Sequence, residues 1–104
     1  MSTFFPDPNG VGAVIGIGAT QCFTVTTSSV QSAVFGANTT IIRLACTQGH
    51  CHFAIGANPT ANLTTSPILP VNDIEYINVR PGQRIAFIKD ASITTSTVSV
   101  TELT

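Results

Sequence analysis

Cys46, His50, Cys51 and His52 fall within seven consecutive positions and bring together the thiol and imidazole groups from which zinc centres are built. Whether they can converge depends on the backbone that carries them. The runs 40–46 and 51–56 both read as strands, and side chains on a strand alternate between two faces. Ile42, Leu44 and Cys46 therefore share a face on the first run, and Cys51, Phe53 and Ile55 share one on the second. The simplest hairpin turning both apolar sets to one core sets Cys46 opposite Cys51, Leu44 opposite Phe53 and Ile42 opposite Ile55, with Thr47-Gln48-Gly49-His50 as its loop. Arg43, His50 and His52 then fall on the outer face. Thiols and imidazoles so arranged point in opposite directions, so one subunit offers no tetrahedral set, and only the histidines could hold a metal between subunits. The same alternation keeps either histidine from acting as base for the Cys51 thiol. The cysteines read as small core hydrophobes whose facing positions would also allow a cross-strand disulfide under oxidising conditions. No metal and no cofactor is expected.

Other chemistry is equally sparse. The acids are Asp7, Asp73, Glu75, Asp90 and Glu102, and of these Asp73 and Glu75 share a strand face. Such a pair is more often a solvated rim or a partner contact than a catalytic dyad. No Gly-x-Ser-x-Gly elbow occurs, and the glycines between Gly10 and Gly18 lack both the spacing of a dinucleotide fingerprint and a preceding strand. The chain is expected not to be an enzyme.

The elements that would position these residues follow from composition. The 104 residues suffice for one domain with one core. Charged residues make up 9% and hydrophobic residues 43%, too apolar for disorder and too poor in charge for an ordinary soluble monomer. A net charge of -1, with Arg43, Arg80, Arg84 and Lys89 scattered, gives no attraction to phosphate, so no nucleic-acid partner is expected. The opening Met-Ser-Thr-Phe-Phe-Pro-Asp has no cationic leader region, and Val11–Ala19 is too short and Gly-rich to cross a bilayer. The expectation is synthesis in the cytoplasm, no membrane partner, and reduced Cys22, Cys46 and Cys51. The sequons at Asn38 and Asn62 then carry little weight.

β-branched Thr, Val and Ile dominate, and turn clusters recur at about ten-residue intervals. Candidate strands are 21–26, 33–35, 40–46, 51–56, 73–79, 84–90 and 97–103, and no helical periodicity survives the interruptions. The pattern predicts an all-β, single-domain β-sandwich or jelly-roll-like fold of about seven to eight short antiparallel strands. Pro81 and Gly82 suit the central positions of a type II turn, which predicts a hairpin joining 73–79 to 84–90, both partly apolar on their two faces. The last run reads as a half-buried closing strand. Residues 58–70 read as a long loop of the kind that carries contacts.

Residues 1–20 differ from the 21–104 body: Phe4 and Phe5 precede the turn Asp7-Pro8-Asn9-Gly10, and Val11, Val14, Ile15 and Ile17 stand among glycines. This segment is either an extended arm against a neighbouring subunit or an edge strand on its own domain.

Ile-Arg-Leu-Ala-Cys (42–46), His-Phe-Ala-Ile-Gly-Ala-Asn-Pro-Thr-Ala (52–61), Val-Arg-Pro-Gly-Gln-Arg-Ile-Ala-Phe-Ile (79–88) and Val-Ser-Val-Thr-Glu-Leu (98–103) resemble small structural proteins encoded among tailed-phage head genes. The resemblance covers residues 40–103. It implies a non-enzymatic virion subunit, a decoration or cement protein that binds the head surface and bridges major capsid protein subunits. Connector, collar or tail components, and a carbohydrate- or receptor-binding module of a tail fibre, are the alternatives. Cement acts by binding energy alone, through many weak contacts on a lattice, so it needs no catalytic group. The expected contacts are Phe4, Phe5, Val11, Val14, Ile15, Ile17 and Arg43, and the expected state is a homo-oligomer, dimer or trimer.

Overall fold

Eight strands nest in antiparallel pairs, the first with the last and so inward. The computed structural model describes residues 16–103. The strands are β1 (Ile17–Val25), β2 (Val30–Gln31), β3 (Ile41–Gln48), β4 (Cys51–Gly56), β5 (Ile68–Leu69), β6 (Ile74–Asn78), β7 (Arg84–Lys89) and β8 (Ser96–Leu103), and no helix occurs among the described residues. β1 pairs with β8, β2 with β7, β3 with β6 and β4 with β5, as in one long ribbon. The further pairings β3·β8 and β4·β7 fold that ribbon into two four-stranded sheets, a first of order β1-β8-β3-β6 and a second of order β2-β7-β4-β5.

One core lies between them. The first sheet contributes Val25, Ile42, Leu44, Cys46, Val98 and Val100, and the second Cys51, Phe53, Leu69, Ile85 and Phe87. Phe23 of β1 meets Phe87 of β7 with ring centroids 5.7 Å apart, a tilted aromatic contact between sheets. Alternation is obeyed: the core residues of β3 and β8 stand two apart, which fixes the outer face of the first sheet as their odd neighbours.

Both expected hairpins are corrected. Ile42, Leu44 and Cys46 do face the same core as Cys51 and Phe53, yet β3 and β4 belong to different sheets, so the facing holds and the strand pairing does not. Leu44 lies opposite Val100 and Glu75, and Phe53 lies opposite Phe87. Two apolar strands can share a core across the sheet-to-sheet gap as readily as across a ladder, and the pattern of residues is identical. Residues 79–84 likewise cross between sheets. The turn chemistry is as expected, with Gly82 at φ 86° and Gln83 N–H donating to Arg80 C=O at 3.1 Å, but the strands it joins do not pair.

Other elements shift. The run 33–35 is not a strand; pairing occurs at Val30–Gln31, and Phe35 is buried from a loop. β6 is a sheet edge with Ile74 and Tyr76 exposed, whereas β7, between β2 and β4, buries Ile85, Ala86 and Phe87 on both faces. β8 is central and buried at six of eight positions, since it has strands on both sides. The long loop contains β5 and is pinned elsewhere. Gln31 Nε2 donates to Asn58 Oδ1 at 2.8 Å and to Pro59 C=O at 2.7 Å, and Ala61 N–H donates to Ser29 Oγ at 2.9 Å.

Candidate functional site

The cysteine and histidine cluster sits where β3 hands the chain to β4. Gly49 makes the crossing. Its φ of 68° is left-handed, and an added Cβ would stand 2.0 Å from Thr95 C=O, so only glycine fits. The Gly49 carbonyl accepts from the Cys46 thiol at 2.8 Å and from Ser96 Oγ at 2.9 Å, which ties β3, β4 and β8 together at this end.

Cys46 and Cys51 are buried, face the core and are free thiols. Burial pushes the Cys46 thiol up, and burial together with the neighbouring Cys46 pushes Cys51 up to about 12. Since the thiolate is the nucleophile, groups held as thiols in a dry core are unreactive.

His50 and His52 are covered by the chain around them, although His52 does lie on the outer side of its strand as expected. His50 is half-buried, and its Nδ1 accepts from Val71 N–H at 3.1 Å, holding the segment before β6. His52 projects away from the core, on the opposite side from Cys51 and Phe53, yet it is buried beneath neighbouring loops. Its Nδ1 lies 3.0 Å from Ser66 C=O and its Nε2 lies 2.8 Å from Asp90 Oδ1. Both partners are acceptors, so the ring satisfies both only as the doubly protonated cation. Burial disfavours that charge, but the bonds to Ser66 and Asp90 outweigh it and hold His52 above its ordinary value. Hydrogen bonds from Ser92 and then from His52 lower Asp90 to about 2. Ser92 N–H donates to Asp90 Oδ2 at 3.2 Å and Ser92 Oγ bonds the same oxygen, so one carboxylate organises the turn after β7 and also anchors β4.

Asp90, Ser66, Ser96 and Glu102 were not singled out from sequence. Asp90-Ala91-Ser92 carries the spacing of a turn closed by an Asp side chain, which is a readable signal for the turn and none for the histidine. Glu102 is buried, and its Oε1 accepts from Gly36 N–H at 2.8 Å and Thr39 Oγ1 at 2.5 Å, closing the turn before β3. Asp73 and Glu75 do stand together: the hydrogen bond and charge of Asp73 raise the exposed Glu75 carboxyl. Among the described residues no three His, Cys, Asp or Glu side chains converge as metal ligands.

The cluster is thus a latch in the body, which leaves the outer face of the first sheet unassigned, with Ile41, Thr101 and Leu103 buried on it. The register places Thr20, Cys22 and Thr24 of β1, Thr97, Ser99, Thr101 and Leu103 of β8, Ile41, Arg43 and Ala45 of β3, and Ile74, Tyr76 and Asn78 of β6 on it. Arg43 is the one charged residue among these, half-buried between Tyr76 and Thr101. Ile17, at the start of β1 opposite Leu103, is 78% exposed. Phe4, Phe5, Val11, Val14 and Ile15 lie outside the described residues, as does most of the segment read as an arm. No helix among the described residues is long and apolar enough to cross a membrane. No protein-family model, no curated protein and no solved structure matches the chain.

Proposed function

We propose that the chain is a non-enzymatic structural subunit of a tailed-phage particle, a decoration or cement protein whose body is a jelly roll and which binds the outside of the head. The strand orders β1-β8-β3-β6 and β2-β7-β4-β5, reached by folding one nested ribbon, support the jelly-roll reading. Jelly rolls serve both viral shells and lectins. Tyr76 is the one exposed aromatic ring among the described residues, which gives a sugar no paired stacking platform and favours the particle.

The observation that carries the proposal is the outer face of the first sheet, four strands wide with Arg43 as its single charge. Its exposed positions Thr20, Cys22, Thr24, Ile74, Tyr76 and Asn78 carry no charge to repel a partner and suit packing against other subunits, while Ile41, Thr101 and Leu103 are buried on the same face. In this reading Arg43, with Ile17 and the arm residues Phe4, Phe5, Val11, Val14 and Ile15, contacts the major capsid protein. Each copy contributes a weak contact, and bridging adjacent capsid subunits multiplies its effect.

The test is co-sedimentation of the purified protein with heads assembled without it. Saturable binding at a fixed ratio to capsid protein is expected, weakened by Arg43→Glu. Free protein in the supernatant at every concentration would refute the proposal.

A further inference from the structure

The four sheet edges are not equally protected. β2 and β5 are two residues long, too short to template another strand. β6 has five residues, and Glu75, opposite Leu44 on the core side, places a charge on its edge. β1 is different. It runs nine residues, Ile-Gly-Ala-Thr-Gln-Cys-Phe-Thr-Val, with no charge and no proline. Natural proteins blunt edges of that length unless something pairs with them.

Three observations define the edge further. Among the described residues, the backbone of Ile17–Val25 bonds only to β8, and no other strand of these residues pairs with its second edge. The inward side chains are held in their own domain: Gln21 Oε1 accepts from Ala33 N–H at 2.9 Å, and Phe23 meets Phe87 in the tilted aromatic contact. These two contacts hold the middle of the strand extended, which lessens the ordering lost on association. Its usable length is also bounded. A register irregularity interrupts the ladder between Ile17 and Thr20, and Val25 is buried, which leaves Thr20–Thr24 as a straight stretch with Thr20, Cys22 and Thr24 exposed.

We infer that this stretch pairs with the same stretch of a second copy, antiparallel about a two-fold axis through Cys22. An unpaired backbone edge specifies an extended strand as its occupant, and the absence of charge removes the repulsion that self-pairing would otherwise bring. The midpoint of Thr20–Thr24 is Cys22, so Thr20 lies opposite the second copy's Thr24, Gln21 opposite its Phe23, and Cys22 opposite its Cys22. Threonines facing each other across an antiparallel pair are favourable partners. The contact is isologous and closes at two copies, joining the first sheets of both into one. This deepens the assembly reading by naming the contact between copies, but it rests on the edge alone.

The test uses the isolated full chain, so its outcome is separate from that of head binding. Sedimentation equilibrium of wild type and of Cys22→Ser is expected to give a dimer. Cys22→Lys, which sets two cations face to face, is expected to weaken association at least about tenfold with its circular dichroism unchanged. Thr24→Lys serves as the second variant if Cys22→Lys does not fold. Copper phenanthroline, as oxidant for the two facing thiols, is expected to give a disulfide-linked dimer from wild type and none from Cys22→Ser. A monomer at all concentrations, or a dimer indifferent to the lysine variants and not crosslinked through Cys22, would overturn the inference.

Discussion

His52 Nε2 and Asp90 Oδ1 lie 2.8 Å apart while the other ring nitrogen of the same histidine faces the Ser66 carbonyl, so both bonds form together only when the ring carries both protons. The bond joins β4 to the turn after β7 and, through Ser66, to the loop before β5. A change of protonation at one ring therefore acts on three segments of the second sheet.

The pH dependence follows in sign from both partners. His52 is raised above 6.5, so its contribution to stability is complete below about 6.5 and is lost as pH rises through the folded value. Asp90 is lowered from 3.8 to about 2, so its contribution is present above about 3.8 and is lost as pH falls through about 2. Denaturant midpoints are expected to be highest between about pH 4 and 6.5 and to fall on the alkaline side. His52→Gln is expected to flatten that alkaline fall, and Asp90→Asn to move the ring's titration, followed by NMR, to lower pH. An unchanged His52 titration in Asp90→Asn contradicts the geometry.

The three cysteines should separate by reactivity. Cys22 is exposed on β1, whereas Cys46 and Cys51 are buried and held protonated. A chromogenic disulfide reagent is expected to titrate Cys22 alone in the reduced native protein, and all three thiols only after denaturation. Rapid native labelling of Cys51 counts against the packing at the β3 to β4 crossing.

Glycine substitutions should be graded by surroundings. Gly49→Ala combines left-handed backbone with a Cβ overlapping Thr95 C=O and Ile93, and is expected to cost about 3 kcal/mol or more. Gly82→Ala, also left-handed but open to solvent, should cost about 1 kcal/mol. Thermal unfolding of the two variants side by side measures the difference, and equal losses refute the close contact.

In the core, Phe53→Ala is expected to cost about 3–5 kcal/mol, because Phe53 is buried and lies opposite Phe87 in the second sheet. Glu102→Ala strips acceptors from Gly36 N–H and Thr39 Oγ1 and is expected to cost about 1.5–3 kcal/mol, with Glu102→Gln milder. Urea unfolding of each variant checks both values.

Period-two alternation made the all-β class and the core faces of β3, β4 and β8 legible, because burial imposes it residue by residue. Partnership between strands was not legible. Leu44 and Phe53 show the same alternation whether they meet in one ladder or across two sheets, and nothing local distinguishes the cases. The short strands β2 and β5 escaped because two residues carry no period. At the candidate site, alternation placed His52 correctly on the side away from Cys51, but its burial comes from Ser66 and Asp90, respectively 14 and 38 positions away. Contacts of that span are fixed by topology, which the sequence pattern left open.

The most direct measurement is electron microscopy of heads assembled without the protein and then saturated with it. The account predicts added density at fixed lattice sites, with the outer face of the first sheet and Arg43 turned toward the capsid. Heads that gain no density, or that carry it with that face turned to solvent, would contradict the assignment.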